Sequence, residues 1–435
     1  MSNQLYLNDR QGEMPPSWYA ASADLPGFRP ALGGVVKADV VVLGAGYTGL
    51  WAALTLARAG RKVVVLEAHR AGFGASGRNG GQVGTGYNKS QQWLEARMGL
   101  GPARAAWDLA EAAKAQLRDF IAQHAPEARY LPGVAYGTYS TGEFSGAAQE
   151  AEHLAKTYGY EIDVLGPQEF SDLVKSPLYQ GGTLDRGAGH IHPLRYVLAL
   201  ARAAEAAGAV IYEKTEVTHI EEGDTVIFRT KLGRVEAQHG ILAGNGYLPL
   251  IAKQVNRHVM PINSFIGATE PLPERWREIL AEDIAVADSK FVVNYYRFSE
   301  DHRFLFGGRE NYSIGFPQDI KGPLKARMLK LFPQLGQQVE LTHVWGGSLA
   351  VTVSRLPHLG RVGHNLLSGA GFSGHGVALS GMAGKVMAEA VMGQQDGLQA
   401  MAALPVPAFP GGAALRAPLL TLAMTWYSLR DRLGF

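Results

Sequence analysis

A strand–turn–helix–strand unit at residues 37–67 constrains the fold more than any other part of the sequence. Residues 39–43 form a short, apolar, β-branched run, which predicts a buried strand. The motif GAGYTG follows directly, an alanine-rich helix is predicted over residues 50–59, and a second buried strand over residues 63–66. A GxGxxG motif between two strands, with an acidic residue at the end of the second, is typical of a dinucleotide-binding unit.

The three glycines of this motif and the acid after it have separate physical roles. Gly44 permits a tight turn, Gly46 lets a pyrophosphate approach the backbone, and Gly49 lets the helix pack closely on the strand. The helix N-terminus offers unpaired N–H groups to phosphates. Glu67 is placed to accept hydrogen bonds from ribose hydroxyls, which disfavours NADP. The unit alone does not separate NAD from FAD.

A second glycine-rich segment, GFGASGRNGGQ, covers residues 72–82. Five of its residues are glycine, so it predicts a loop rather than a regular element. Ser76 and Arg78 are candidates to contact phosphate. The alternative is a flexible surface loop.

Composition excludes several classes of protein. The chain has 435 residues, of which 46% are hydrophobic and 18% charged, and its net charge is +2, so neither a nucleic-acid-binding surface nor an acidic tail is indicated. It has no cysteine, which excludes disulfides, thiolate metal sites and a cysteinyl flavin bond. The polar start of the sequence lacks a signal-peptide core, and no run of about 18 apolar residues occurs, so we expect a cytoplasmic protein without a transmembrane helix.

The motifs GAGYTG, VVVLEA and GFGASGRNGGQ together resemble those of the FAD-dependent D-amino acid oxidase superfamily, and most of all its γ-glutamylputrescine oxidoreductase-type amine oxidases. The resemblance implies an α/β fold: a glutathione-reductase-type, Rossmann-like FAD-binding domain with an interleaved mixed-sheet α+β substrate domain. It assigns residues 1–89, 181–255 and 340–400 to the first domain and residues 90–180 and 256–339 to the second. Residues 401–435 are then a C-terminal linker and helix.

The resemblance also implies which residues contact FAD. They lie in the first motif and the strand after it, in the second glycine-rich loop, in two segments where the chain returns to the FAD domain, and in the late motif GFSGHG. They are Gly44, Gly46, Tyr47, Thr48, Gly49, Glu67, Ala68, Ser76, Gly77, Arg78, Asn79, Gly80, Gly81, Gln82, Val217, Gly244, Asn245, Gly371, Phe372, Ser373, Gly374, His375 and Gly376.

Candidates on the substrate side come from a predicted strand pair at residues 291–298 and 303–309. Tyr295 or Tyr296 and Arg309 are expected there, and we select Tyr296. Arg309 is interpreted either as a substrate contact or as a solvated charge. His375 is interpreted either as a substrate contact or as a residue that only holds its loop.

The activity that the resemblance implies is oxidation of the C–N bond of an amine, such as a γ-glutamylputrescine-like or other polyamine-derived substrate, by noncovalent FAD. Oxygen is the expected acceptor, and a quinone is the alternative. The rival activity is an imino-acid or D-amino-acid oxidase or dehydrogenase, acting on substrates such as pipecolate, sarcosine or glycine. A flavoprotein without turnover and an NAD-dependent dehydrogenase are further alternatives.

Two other features have competing interpretations. His190 and His192 flank one residue, but a third ligand is lacking, so a capping or buried role is favoured over a metal site. Residues 415–435 are apolar and then basic. They favour a helix docked on its own domain, with peripheral membrane contact as the alternative.

Overall fold

The computed structural model describes residues 5–252, 254–311 and 315–410, and two large sheets organise this part of the chain. The first sheet carries the glycine motif and has eight strands among the described residues. Its central strands run parallel in the order β7-β2-β1-β10-β17, and antiparallel strands are added at β16, β9 and β8. Its strands are β1 (Gly34–Leu43), β2 (Val63–Leu66), β7 (Val210–Tyr212), β8 (Val217–Glu221), β9 (Val226–Thr230), β10 (Gly233–Leu242), β16 (His358–Arg361) and β17 (Leu366–Ala370).

The second sheet has nine strands among the described residues, mostly antiparallel, in the order β15-β11-β14-β13-β12-β4-β6-β3, with β5 paired to β6. The pair β4 and β12 is parallel, so the sheet is mixed, as predicted. Its strands are β3 (Gln82–Val83), β4 (Leu131–Gly137), β5 (Asp163–Leu165), β6 (Gly182–His190), β11 (Met260–Pro271), β12 (Ala285–Asp288), β13 (Tyr295–Phe298), β14 (Arg303–Asn311) and β15 (Leu341–Val351).

Ten α-helices accompany these sheets in the described residues. They are α1 (Trp18–Ser22), α2 (Tyr47–Arg58), α3 (Gln91–Met98), α4 (Leu100–His124), α5 (Thr141–Tyr158), α6 (Pro167–Leu173), α7 (Pro193–Ala206), α8 (Lys321–Leu331), α9 (Leu379–Val391) and α10 (Asp396–Ala402). None of them is both long and apolar enough to cross a membrane.

Residues 40–42 of strand β1 are buried on both faces, which explains why residues 40–43 form a continuous apolar run rather than an alternating one. Val40 and Val42 belong to the core formed with helices α2, α7 and α9, whereas Val41 packs in a separate core against the β8–β10 side. Helix α2 is further fixed by a hydrogen bond of 2.8 Å from Trp51 Nε1 to the hydroxyl of Tyr196 on α7. The strand–turn–helix–strand unit predicted from the sequence is therefore present.

The sheets do not follow all the domain boundaries predicted from the sequence. Strands β3, β6 and β15 lie in the second sheet, although each falls within a segment assigned to the FAD-binding domain. Strand β6, which follows the predicted boundary at residue 181, pairs with β4 of the second sheet along most of its length. The chain alternates between the two sheets, and the domain boundaries stay a prediction.

One predicted strand is shorter than expected. Of residues 291–298, Tyr295–Phe298 form β13, and the preceding residues are irregular. The carboxylate of Asp288 accepts hydrogen bonds from the backbone N–H groups of Lys290 and Asn294, at 3.3 and 2.9 Å. These bonds curl the chain into a loop before the strand begins.

Of the two features with competing interpretations, the histidine pair lies within the described residues and the C-terminal segment does not. The side chain of His192 caps helix α7, because its Nδ1 accepts a hydrogen bond of 3.2 Å from the N–H of Arg195. Residues 415–435, for which membrane contact was an alternative, lie outside the described residues.

Candidate active site

A cavity of about 1420 Å³ lies between the two sheets and is lined by loops and strands of both. Pockets for single small ligands usually measure about 300–1,000 Å³, so this volume suits a long cofactor together with a substrate. The first motif and Glu67 line one part of it, and strands of the second sheet line another.

The turn between β1 and α2 brings bare backbone to the cavity. Gly44 has a φ of +98°, a conformation that favours glycine. A Cβ atom added to Gly46 would lie 2.8 Å from Ser76 Oγ, and one added to Gly49 would lie 1.9 Å from the carbonyl oxygen of Gly44. Ser76 Oγ also accepts a hydrogen bond of 3.0 Å from the N–H of Tyr47. Gly49 thus serves helix packing, while Gly46 faces the cavity.

Glu67 is held at the end of β2 by backbone donors. Its two carboxyl oxygens accept hydrogen bonds from the N–H groups of Ala45 and His69, each at 2.9 Å. Burial raises the pKa of Glu67 to about 7, although these bonds act in the opposite direction. The carboxyl group therefore changes its protonation state near neutral pH in the protein without a bound ligand.

Arg78, in the second glycine-rich loop, is bound mainly by protein groups. Its guanidinium donates to the carbonyl oxygens of Phe73 and Gly346, at 2.6 and 3.1 Å, and its Nη1 lies 3.0 Å from Asp9 Oδ2. Arg78 is 4% exposed, and its Nη2 is a buried donor for which the described residues supply no acceptor. An anionic group in the cavity would satisfy this donor.

The rest of that loop is shaped to place its backbone against the second sheet. Asn79 Oδ1 accepts a hydrogen bond of 2.8 Å from the N–H of Gly81, and Arg297 Nε donates to the carbonyl oxygen of Gly80 at 2.8 Å. A Cβ atom added to Gly80 would lie 2.8 Å from the ring of Tyr295. Larger residues at position 80 would narrow the cavity between loop and sheet.

The late glycine loop after β17 closes another side of the cavity. Gly371 has a φ of +78°, and its N–H donates to Asn245 Oδ1 at 3.1 Å. The imidazole of His375 packs on Gly84, where an added Cβ atom would lie 2.4 Å away, and its Nε2 lies 3.1 Å from the carbonyl oxygen of Gly86. Burial lowers the pKa of His375, which favours its neutral form.

The structure corrects the selection of Tyr296 as a substrate-side residue. Tyr296 is 1% exposed, its ring packs with Phe304 and Phe332, and its hydroxyl lies 3.0 Å from that of Tyr179. Successive side chains of a strand point to opposite faces, so its neighbour Tyr295 faces the cavity instead. Arg309 pairs with Phe265 in the backbone register of β14 and β11, and its role stays a prediction.

Most of the predicted cofactor residues meet at this one cavity. Those that line it are Gly44, Gly46, Tyr47, Thr48, Glu67, Ser76, Arg78, Asn79, Gly80, Gly81, Gln82, Gly244, Asn245, Phe372, Ser373, Gly374, His375 and Gly376. Those that do not line it are Gly49, Ala68, Gly77, Val217 and Gly371. A Cβ atom on Gly77 would lie 2.2 Å from the carbonyl oxygen of Gly72, so Gly77 keeps the loop compact.

Sequence analysis missed a contribution from the N-terminal segment, residues 5–13. His69 stacks on Phe73 with ring centroids 3.6 Å apart, and its two ring nitrogens lie 3.1 Å from the N–H of Gly12 and 2.9 Å from the carbonyl oxygen of Leu5. Leu5 lines the cavity beside this stack. The segment has no periodic pattern or motif that would have indicated this position.

These features fit a flavin dinucleotide. Bare backbone at Gly44 and Gly46, the N-terminus of α2 with glycine as its N-cap residue, and the buried donor of Arg78 suit a pyrophosphate. The glycine-rich loop and the His375 loop leave room beside Tyr295 for a flat ring system. Within the described residues, no cluster of His, Asp and Glu side chains could hold a metal ion.

Comparison with known proteins agrees with this geometry. A family model, DAO, described as FAD dependent oxidoreductase, matches residues 39–390. The "Probable oxidoreductase OrdL" of Rhizobium meliloti is 40% identical over 96% of this chain and 97% of its own length. The "Gamma-glutamylputrescine oxidoreductase" of Escherichia coli is 35% identical over 97% of this chain and 99% of its own length. The crystal structure of glycine oxidase from Geobacillus kaustophilus is similar in fold, with a TM-score of 0.68 at 22% identity, over 82% of this chain and 95% of that protein.

Proposed function

Because the chain belongs to the DAO family of FAD-dependent oxidoreductases, which act on the C–N bonds of amines and amino acids, we propose that its substrate is a γ-glutamylputrescine-like or other polyamine-derived amine. The reaction removes two electrons and two protons from the CH–NH₂ group and gives an imine. Water hydrolyses the imine to an aldehyde and ammonia. Molecular oxygen takes up the two electrons and two protons and becomes hydrogen peroxide.

FAD, when bound, supplies the acceptor for the hydride that leaves the substrate carbon. The residues of this chain would bind the cofactor and orient the substrate. The first motif and Glu67 would hold the dinucleotide. The loops at Gly80 and His375 and the side chain of Tyr295, which line the same cavity, would border the flavin and the substrate. The surrounding loops and strands exclude water and keep the substrate carbon near the flavin.

The observation that supports the choice of an amine is the similarity to the γ-glutamylputrescine oxidoreductase of Escherichia coli over almost the whole length of both chains. The cavity that contains the dinucleotide motif is lined by acidic side chains, among them Glu150 and Asp185, and also by the basic side chains of Lys89, Lys290 and Arg355. Groups of both signs suit a substrate that carries both ammonium and carboxylate groups, as γ-glutamylputrescine does.

A peroxide assay with a panel of substrates tests the proposal. The panel contains γ-glutamylputrescine, free polyamines, cyclic imino acids and D-amino acids, and reduction of the flavin is followed in parallel without oxygen. We expect γ-glutamylated or free polyamines to bleach the flavin and release peroxide. Bleaching by free amino acids alone would contradict the proposal and support the rival activity, with Arg309 as the carboxylate-binding candidate.

The acceptor is tested with the same substrates. We expect reoxidation by dissolved oxygen to keep pace with turnover. Flavin that is reduced by the amine but is reoxidised only by an added quinone would show that the protein is a dehydrogenase.

A further inference from the structure

A buried ammonium lies behind the substrate side of the cavity. Lys114, on helix α4, is 1% exposed, although lysine is rarely buried without partners. Its Nζ donates hydrogen bonds to Thr85 Oγ1 at 2.6 Å and to the hydroxyl of Tyr160 at 2.8 Å. Glu111 Oε1 lies 2.9 Å away and pairs with it. The charges of Lys114 and Glu111 therefore compensate one another inside the protein.

The hydrogen bonds of this cluster run from Lys114, through two hydroxyl groups, to Asp185. An ammonium can only donate, so the hydroxyls of Thr85 and Tyr160 both act as acceptors towards Lys114. Each hydroxyl has one proton, and each donates a hydrogen bond to the carboxylate of Asp185. The distances are 2.5 Å from Thr85 Oγ1 to Oδ2 and 2.6 Å from the Tyr160 hydroxyl to Oδ1. The chain of hydrogen bonds thus ends on a carboxylate.

The two oxygens of Asp185 are used unequally. Oδ1 also accepts the N–H groups of Gly187 and Ala188, at 2.9 and 3.1 Å. Oδ2 accepts from Thr85 alone among the described residues, although a carboxylate oxygen has about two acceptor sites. Asp185 and Thr85 both line the cavity. One acceptor site on Oδ2 is therefore left for a ligand in the cavity.

We infer that Asp185 binds a second, non-reacting ammonium group of the substrate, and that Lys114 is a positioning residue that holds Thr85 and Tyr160 against it. The inference rests on the proposed function and narrows it to substrates with two amino nitrogens. A carboxylate stabilises the protonated form of a nitrogen beside it. The nitrogen next to the oxidised carbon has to be neutral when hydride leaves, so Asp185 suits the other one.

Matched substrates separate this role from a structural one. N-glutarylputrescine differs from γ-glutamylputrescine only by the missing α-ammonium group, and butylamine differs from 1,4-diaminobutane by one amino group. We expect Asp185→Asn to lower kcat/KM for the compound with two amino groups about 10- to 100-fold, mainly through KM. Its effect on the compound with one amino group should be less than about two-fold, because that compound lacks the group that Asp185 binds. Equal losses on both members of a pair would overturn the inference.

The control is Glu152→Gln, which removes a carboxylate from the exposed face of α5, where Glu152 pairs with Lys156. It should leave the preference within each pair unchanged. Lys114→Met should weaken the preference for two amino groups in the same direction as Asp185→Asn, and Lys114→Arg should restore part of it. If Asp185→Asn fails to fold with FAD, Thr85→Val removes the hydroxyl on Oδ2 and is measured in the same way.

A binding measurement distinguishes failure of this inference from failure of the proposed function. Binding of 1,4-diaminobutane and of butylamine is followed without turnover, from the change in flavin absorbance of the oxygen-free holoprotein. Diamine binding that is tighter than monoamine binding and depends on Asp185, without oxidation of any amine, would refute the proposed function and support this inference. Amine oxidation in which wild type and Asp185→Asn show the same preference for two amino groups would support the proposed function and refute this inference.

Discussion

We predict that Glu67 makes FAD binding dependent on pH. Burial raises its pKa in the free protein to about 7, and the ionised carboxylate is the better acceptor for hydroxyl groups because the protonated form carries a donor on one oxygen. The dissociation constant for FAD should therefore fall as pH rises from about 6 to 8, by at most about ten-fold per pH unit, and level off above the pKa. Fluorescence titration of apoprotein with FAD measures this.

The control for that prediction is Glu67→Gln, which keeps the size of the side chain and removes its titration. The variant should bind FAD more weakly at pH 8 and show a flat profile. The same pH dependence in wild type and variant would assign the effect to another group.

Tyr295 and Tyr296 should give opposite phenotypes, although they are adjacent. Tyr296→Ala removes a ring from a packed aromatic cluster, so it should cost about 3–5 kcal/mol in the free energy of unfolding. Tyr295→Ala should cost less stability and should lower kcat/KM about 10- to 100-fold, because its ring borders the cavity. Denaturant unfolding and steady-state kinetics on both variants check this, and similar results for the two would contradict it.

The packing of α9 on α2 links a distant glycine to cofactor affinity. A Cβ atom on Gly384 would lie 2.1 Å from the carbonyl oxygen of Thr48, in the first turn of α2. Gly384→Ala should therefore force the helices apart, at a cost of about 1–3 kcal/mol, and shift the helix N-terminus that faces the cofactor. We expect a lower melting temperature and a faster loss of FAD on dilution.

Gly142→Ala is the matched control, because a Cβ atom at that position of α5 meets nothing within 4 Å. It should leave the melting temperature and the FAD content nearly unchanged. Equal loss of FAD in both variants would show that close packing at Gly384 is not the cause.

The elements predicted well from sequence are those whose signals are local. Strand β1, the glycine turn, α2 and β2 follow one another closely in residues 34–66, so periodicity and motif determine them together. The choice between Tyr295 and Tyr296 failed because alternation does not say which face of a strand is covered, and a shift by one residue exchanges the faces. The pairing of β6 with β4 could not be predicted, because the two strands are remote in sequence. Within the site, Asp185 bonds to Thr85 and Tyr160, which both bond to Lys114. These three residues come from three separate segments, and no motif joins them.

For the molecule as a whole, the absence of cysteine predicts that FAD is held without a cysteinyl bond. Acid precipitation of the holoprotein should leave the yellow flavin in the supernatant. Because a ligand that binds only the folded state stabilises it, FAD at about 100 times its dissociation constant should add about 2.7 kcal/mol to the free energy of unfolding. Calorimetry of apoprotein and holoprotein measures the second effect, and flavin that stays with the precipitate would contradict the first.

The order of strands in the first sheet has a consequence for how the protein is made. Strand β1 leads into the dinucleotide turn near the start of the chain. Its neighbour β10 pairs on its other side with β17, at residues 366–370. A nascent chain on the ribosome presents the glycine turn long before the other wall of the binding site has been synthesised. We therefore expect FAD to bind only after most of the chain has been synthesised.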